Sequence, residues 1–128
     1  MSSTLSSTPY EAVQTISPEA LLQRIRSDSP QTILDVRDRA QTWSTGAIAG
    51  ARVLPKVQLS SRIDELANLR STLVVVVSQA AHPGAAAVLE LRAAGFTEVL
   101  LLEGGMDRWL ALGYPVDERR DAMPSSRP

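Results

Sequence analysis

The chain has 128 residues, a net charge of −1, 44% hydrophobic residues and no cysteine. That length favours one domain, and the apolar content supports a core and excludes a disordered chain. The near-zero charge gives no ground for nucleic acid or anionic lipid as a partner, and the missing cysteines remove disulfides, thiolate metal sites and sulfur nucleophiles together.

Residues 1–10 are Ser/Thr-rich, with no basic n-region and no apolar h-region, so they read as a flexible tail and not as a secretory leader. Tyr10 to Ile16 suits a short edge strand. Ser17-Pro18-Glu19 is a helix start, with a capping hydroxyl, proline at the first position and an acid in the first turn. Leu21, Leu22 and Ile25 form the apolar stripe of that helix, and Ser27 to Pro30 ends it. Thr32 to Val36 is a buried strand with Asp35 near its C-terminal end, followed closely by Arg37 and Asp38. A short polar helix is expected over Arg39 to Ser44, anchored in the core by Trp43. Ala51 to Leu54 reads as a strand stopped by Pro55. Ser61-Arg62-Ile63-Asp64 resembles a capping box, opening a helix that runs to about Arg70.

Leu73 to Val77 is five apolar residues without alternation, as in a strand buried on both faces. A polar turn, Ser78-Gln79-Ala80-Ala81-His82-Pro83-Gly84, leads into an alanine-rich helix from about Pro83 to Ala94, with Gly95 as its C′ residue. Glu98 to Leu102 is another buried strand, and Glu103-Gly104-Gly105 turns sharply into a helix carrying Met106, Trp109 and Leu110. Gly113 ends that helix, and residues 118–128 read as a polar, flexible tail after a domain spanning residues 11–117.

Strands alternating with helices predict a parallel α/β sheet with right-handed crossovers. The loops after the strands then share one edge, where such domains keep their ligands. Topology alone places Asp35, Arg37, Ser78, Gln79, His82 and Glu103 on that rim. Asp35 and Arg37 are read as scaffold that ties loops together, and Glu103 as a turn-stabilising carboxylate.

The order and spacing of Ile33-Leu34-Asp35-Val36-Arg37, Gly46-Ala47-Ile48-Ala49-Gly50-Ala51, the strand and turn at Ser78, Leu102-Glu103-Gly104-Gly105-Met106-Asp107-Arg108-Trp109 and Gly113-Tyr114-Pro115-Val116 resemble a single rhodanese domain. The resemblance covers roughly Ile16 to Val116 and implies a five-stranded parallel sheet flanked by helices. In that family a cysteine opens the loop after the central strand. Its thiolate takes a sulfane sulfur as a persulfide and passes it to a thiol or cyanide. Loop N–H groups, often with an arginine, stabilise the charge. Here the cysteine position falls on Ser78, the arginine position falls near Pro83, and the family's histidine position in the Gly46–Ala51 segment is Ala47.

A serine hydroxyl is far less acidic than a thiol, attacks sulfane sulfur poorly and cannot carry a stable persulfide. The resemblance therefore implies a rhodanese-like domain without sulfurtransferase activity, used as a protein-binding or regulatory module for an unidentified protein partner. The alternatives are a weak anion or small-ligand binder at the former active-site loop, and an atypical hydrolase using Ser78, His82 and Asp35. No cofactor and no metal are expected, and the expected location is the cytoplasm.

Overall fold

The computed structural model describes residues 13–117, with the side chains of residues 81–83 excepted. Both predicted tails, and the predicted strand residues Tyr10 to Ala12, lie outside the described residues.

In chain order the elements are β1 (Thr15–Ile16), α1 (Pro18–Arg26), β2 (Thr32–Asp35), α2 (Arg39–Thr45), β3 (Arg52–Val53), α3 (Lys56–Arg62), a 3₁₀ helix (Ile63–Leu69), β4 (Leu73–Val77), α4 (Ala81–Ala93), β5 (Glu98–Leu102) and α5 (Gly105–Ala111). The strands form one five-stranded sheet in the order β1-β5-β4-β2-β3, and every pairing is parallel. β4 is the central strand, with Val75 opposite Ile33 of β2 and Leu100 of β5.

The run of valines in β4 serves two cores at once. Side chains alternate along a strand, so Val74 and Val76 face one layer and Val75 and Val77 the other. The first pair packs with Leu34, Leu59, Leu66, Val88 and Leu91, beneath α3, the 3₁₀ helix and α4. The second packs with Ile33, Leu21, Met106 and Trp109, against α1 and α5. Trp109 is fully buried, donates its Nε1–H to the Pro115 carbonyl (2.9 Å) and meets Tyr114 edge-on at 5.1 Å.

Local chemistry accounts for the helix ends. Ser17 caps α1 through the Ala20 N–H (3.1 Å), with Pro18 in its first turn. Asp38 and Gln41 form a capping box on α2.

Four expectations need correction. Trp43 is not a core anchor: it is 43% exposed, because the Asp38 cap turns Thr42 inward instead. The helix expected from Ser61 begins at Lys56, directly after Pro55, and tightens into the 3₁₀ helix at Ile63. Ser61 lies in the last turn of α3, its hydroxyl bonded back to the Gln58 carbonyl (3.0 Å). The β3 strand keeps only Arg52 and Val53, since the Ala51 N–H is spent on the Ile48 carbonyl (3.0 Å) and Pro55 follows. Finally, α4 starts at Ala81 and not at about Pro83, with Pro83 still in the first turn. Among the described residues no helix is long and apolar enough to cross a membrane.

Candidate functional site

The C-terminal ends of β2 and β4 place Asp35 and Ser78 side by side on the rim of the sheet: Asp35 pairs with Val77, and Ser78 follows. Both side chains are buried, at 1% and 2% exposure. A charged carboxylate at that depth needs a partner, and Arg37 supplies it. Its Nε lies 3.0 Å from Asp35 Oδ1 and its Nη2 2.8 Å from Oδ2, a two-pronged ion pair with both side chains out of solvent.

The remaining donors of Arg37 are also spent. Nη1 donates to Thr45 Oγ1 (2.7 Å) and to Gln79 Oε1 (3.3 Å), and Nη2 to the Gly46 carbonyl (2.8 Å). A guanidinium carries five N–H groups, and all five have protein acceptors. Gln79 passes the connection on, its Nε2 donating to Asp107 Oδ1 at 2.6 Å. A continuous polar chain thus runs from Asp35 through Arg37 and Gln79 to Asp107 at the start of α5.

The turn after β4 is held by its backbone as well. The Met106 N–H donates to the Ser78 carbonyl (2.8 Å) and the Asp107 N–H to the Gln79 carbonyl (3.1 Å). Carbonyls of the turn therefore cap the first turn of α5, satisfying donors that a helix start leaves open. Gly105 makes this approach feasible: it has φ +61°, and a Cβ there would sit 2.5 Å from the Ser78 carbonyl oxygen.

The Ser78 hydroxyl donates to the Ala80 carbonyl. A site for a thiolate, persulfide or other anion aims N–H donors at the charge. Here the hydroxyl is engaged with a carbonyl, an arrangement that suits a neutral O–H donor. On the other side Gly84 closes in, since a Cβ there would lie 2.6 Å from Ser78 Oγ and 2.5 Å from Leu101 Cδ1.

Of the residues expected on the rim, the structure brings Asp35, Arg37, Ser78 and Gln79 together. Glu103 is elsewhere: its carboxylate accepts from Thr15 Oγ1 (3.0 Å) and its N–H bonds the Ile16 carbonyl (2.9 Å), so it fastens the edge strand β1. The turn's Ala80 is exposed, and Ala81, His82 and Pro83 form the first turn of α4, with side chains outside the described ones. Among the described residues no group of His, Cys, Asp or Glu is placed to hold a metal ion. Thr45 and Asp107 are partners that sequence reasoning missed. Their only advance signal is position, at the end of α2 and in the segment after Gly104-Gly105.

Beside this network lies a cleft of about 220 Å³ between the start of α2 and the start of α3. Ser78 and Gln79 reach it from the turn, Val36, Pro55 and Val57 give it apolar wall, and Lys56 stands at the same lip. The missed feature here is Val57, which is 90% exposed.

A parallel sheet with a strand-to-helix turn at the end of its central strand, and an Asp–Arg pair bracing the neighbouring loop, is the framework of the rhodanese-like domains. Residues 17–112 match that family, described as the rhodanese-like domain, and the chain belongs to it. It is 35% identical over 108 residues to the thiosulfate sulfurtransferase GlpE of Pseudomonas putida, covering 84% of this chain and 93% of that protein. The Pseudomonas aeruginosa GlpE is 32% identical over 107 residues, covering 84% and 92%. Among solved structures, the chain is similar to the Alr3790 protein of Anabaena, with 33% identity, a TM-score of 0.71 and coverage of 80% and 81%. It is also similar to a rhodanese-related protein of Thermoplasma volcanium, with 28% identity, a TM-score of 0.72 and coverage of 82% and 98%.

Proposed function

We propose that this domain moves no sulfur itself and serves as a protein-binding or regulatory module built on the rhodanese framework. One observation carries the reading. The residue directly after the central strand is a serine whose hydroxyl is bound to the Ala80 carbonyl, in a chain with no cysteine. The neighbouring arginine cannot supply the missing charge stabilisation, because its donors are already engaged. The cleft beside the turn supports the docking part of the reading, since it is open and partly apolar, with Val57 exposed at its lip. The reading places the domain in the cytoplasm, where a chain without disulfides is at no disadvantage.

The test has two arms. In the first, purified protein is assayed with thiosulfate and cyanide, alongside Ser78→Cys. Neither protein turns over above the blank. Turnover by the unaltered protein overturns the proposal. In the second arm a photo-crosslinking residue replaces Val57 at the cleft or, as control, exposed Thr97 at the opposite edge of the sheet. A defined adduct in cells from position 57 alone is expected, and equal labelling from both positions counts against docking.

A further inference from the structure

A single peptide unit joins the Arg37 network to the chain that follows α5. Between Gly46 and Ala47 the carbonyl and the N–H lie at opposite poles of one rigid trans plane. The Gly46 carbonyl accepts from Arg37 Nη2 at 2.8 Å. The Ala47 N–H donates to the Asp117 carbonyl at 3.1 Å, and the Asp117 N–H returns a bond to the Ala47 carbonyl at 2.6 Å. One plane therefore faces the buried Asp35–Arg37 pair on one side and Asp117 on the other. It cannot turn one pole without turning the other.

Residues Tyr114 to Asp117 are fastened as a strap. The Tyr114 N–H donates to the Trp109 carbonyl (3.2 Å), its ring meets Trp109 edge-on, and the Pro115 carbonyl accepts the Trp109 Nε1–H. Val116 and Asp117 then close over Gly46. A Cβ added at Gly46 would come 3.4 Å from Val116 Cγ2 and 3.0 Å from the Asp117 carbonyl oxygen, and its φ of +80° suits glycine. Asp117 is exposed, whereas Gly46 and Ala47 are buried. The bridge thus has its outer half at the surface and its inner half against the arginine.

From this arrangement we infer that the strap Tyr114–Asp117 is a positioning device for the cleft wall, acting through the Gly46–Ala47 peptide on Arg37 and Gln79. Both of those residues line the cleft, and Arg37 Nη1 holds Gln79 Oε1 at 3.3 Å. With the strap seated, the Gly46 carbonyl is aimed at Arg37 and the guanidinium keeps Gln79 in place. With the strap displaced, the peptide is free to rotate, Arg37 loses that acceptor while keeping Asp35, and Gln79 loosens in turn. Linked hydrogen bonds polarise one another, so the two ends of the chain are coupled and not merely adjacent. The coupling holds whatever occupies the cleft.

A double-mutant cycle on the full chain tests it. Asp117→Pro removes the N–H that bonds Ala47, and it favours an extended Val116 before it. Val116→Ala, a milder change to the same strap, replaces it if the proline variant does not fold. Gln79→Ala cuts the far end of the chain. In urea unfolding the double strap and Gln79 variant loses less stability than the two single losses summed. Gln79→Ala instead adds fully with Ser17→Ala, a lost helix cap outside the chain. NMR supplies a reading that a purely local closure would not move. The Arg37 Nε–H resonance shifts in either strap variant, and its exchange with solvent speeds by roughly two- to tenfold, the scale of one net hydrogen bond. In Ser17→Ala the resonance stays in place. Additive losses in the cycle, or an unmoved Arg37 resonance in a folded strap variant, overturn the inference.

Discussion

Replacing Arg37 by alanine is the most severe test of the framework around the turn. The change strips Asp35, at 1% exposure, of its three side-chain contacts and leaves it only the backbone N–H of residue 37 at 3.1 Å. Removing one partner of a buried ion pair costs about 3–5 kcal/mol, because an uncompensated charge stays in the interior. The Gly46 carbonyl also loses its donor. A total near 4 kcal/mol is a large part of the 5–15 kcal/mol that holds a typical domain together. For a chain of this size it corresponds to a fall in Tm of roughly 10–20 °C. Urea unfolding followed by circular dichroism measures the loss. The double variant Asp35→Leu/Arg37→Met removes both charges and recovers much of it, since apolar replacement of a buried pair is often neutral. A loss below about 1 kcal/mol for Arg37→Ala, the level of an exposed pair, would falsify the claim that this pair is a buried structural element.

Gly84→Ala gains helix propensity but forces a methyl onto Leu101 and the Ser78 hydroxyl; the clash prevails and stability falls by about 1–3 kcal/mol, with Ser78→Ala/Gly84→Ala recovering part of it. Chemical denaturation reads the sign, and a stabilised Gly84→Ala refutes the contact. Trp109→Ala costs about 3–5 kcal/mol, whereas half-exposed Trp43→Ala costs well under half of that; equal losses contradict the corrected placement of Trp43. The hydrogen bond and charge of Arg62 hold the Glu65 carboxyl below the ordinary glutamate range, and the same contact raises Arg62. The depressed carboxyl gives the pair a small stabilising effect that is complete above the unfolded value of about 4.3 and fades as pH falls through the folded value. Carbon-detected NMR titration of Glu65 locates the midpoint, and Arg62→Gln moves it upward.

The fold was legible because its signals are local and mutually consistent. A run of valines with no alternation, a Ser-Pro-Glu helix start and glycines closing two helices each have one reading. Trp43 was misplaced because large aromatic side chains are usually interior, and only the Asp38–Gln41 cap shows which face of α2 turns inward. The start of α3 was missed because Pro55 reads as a stop to the strand before it, and the Ser61 pattern looked like a beginning. At the site, the residue types and their shared edge could be read from topology. The direction of the Ala80 carbonyl, the complete engagement of Arg37 and the Gln79–Asp107 link could not, since each depends on torsions and distances between segments far apart in the chain.

The two backbone bonds from Met106 and Asp107 to the carbonyls of Ser78 and Gln79 make the turn a structural keystone. Whatever the sulfur chemistry of its relatives asks of this bend, here the bend also finishes another helix. It cannot be cut out as a harmless control, because α5 would lose its end and Trp109 its seat. A substitution at this bend is accordingly felt in two places, in the turn itself and at the start of α5.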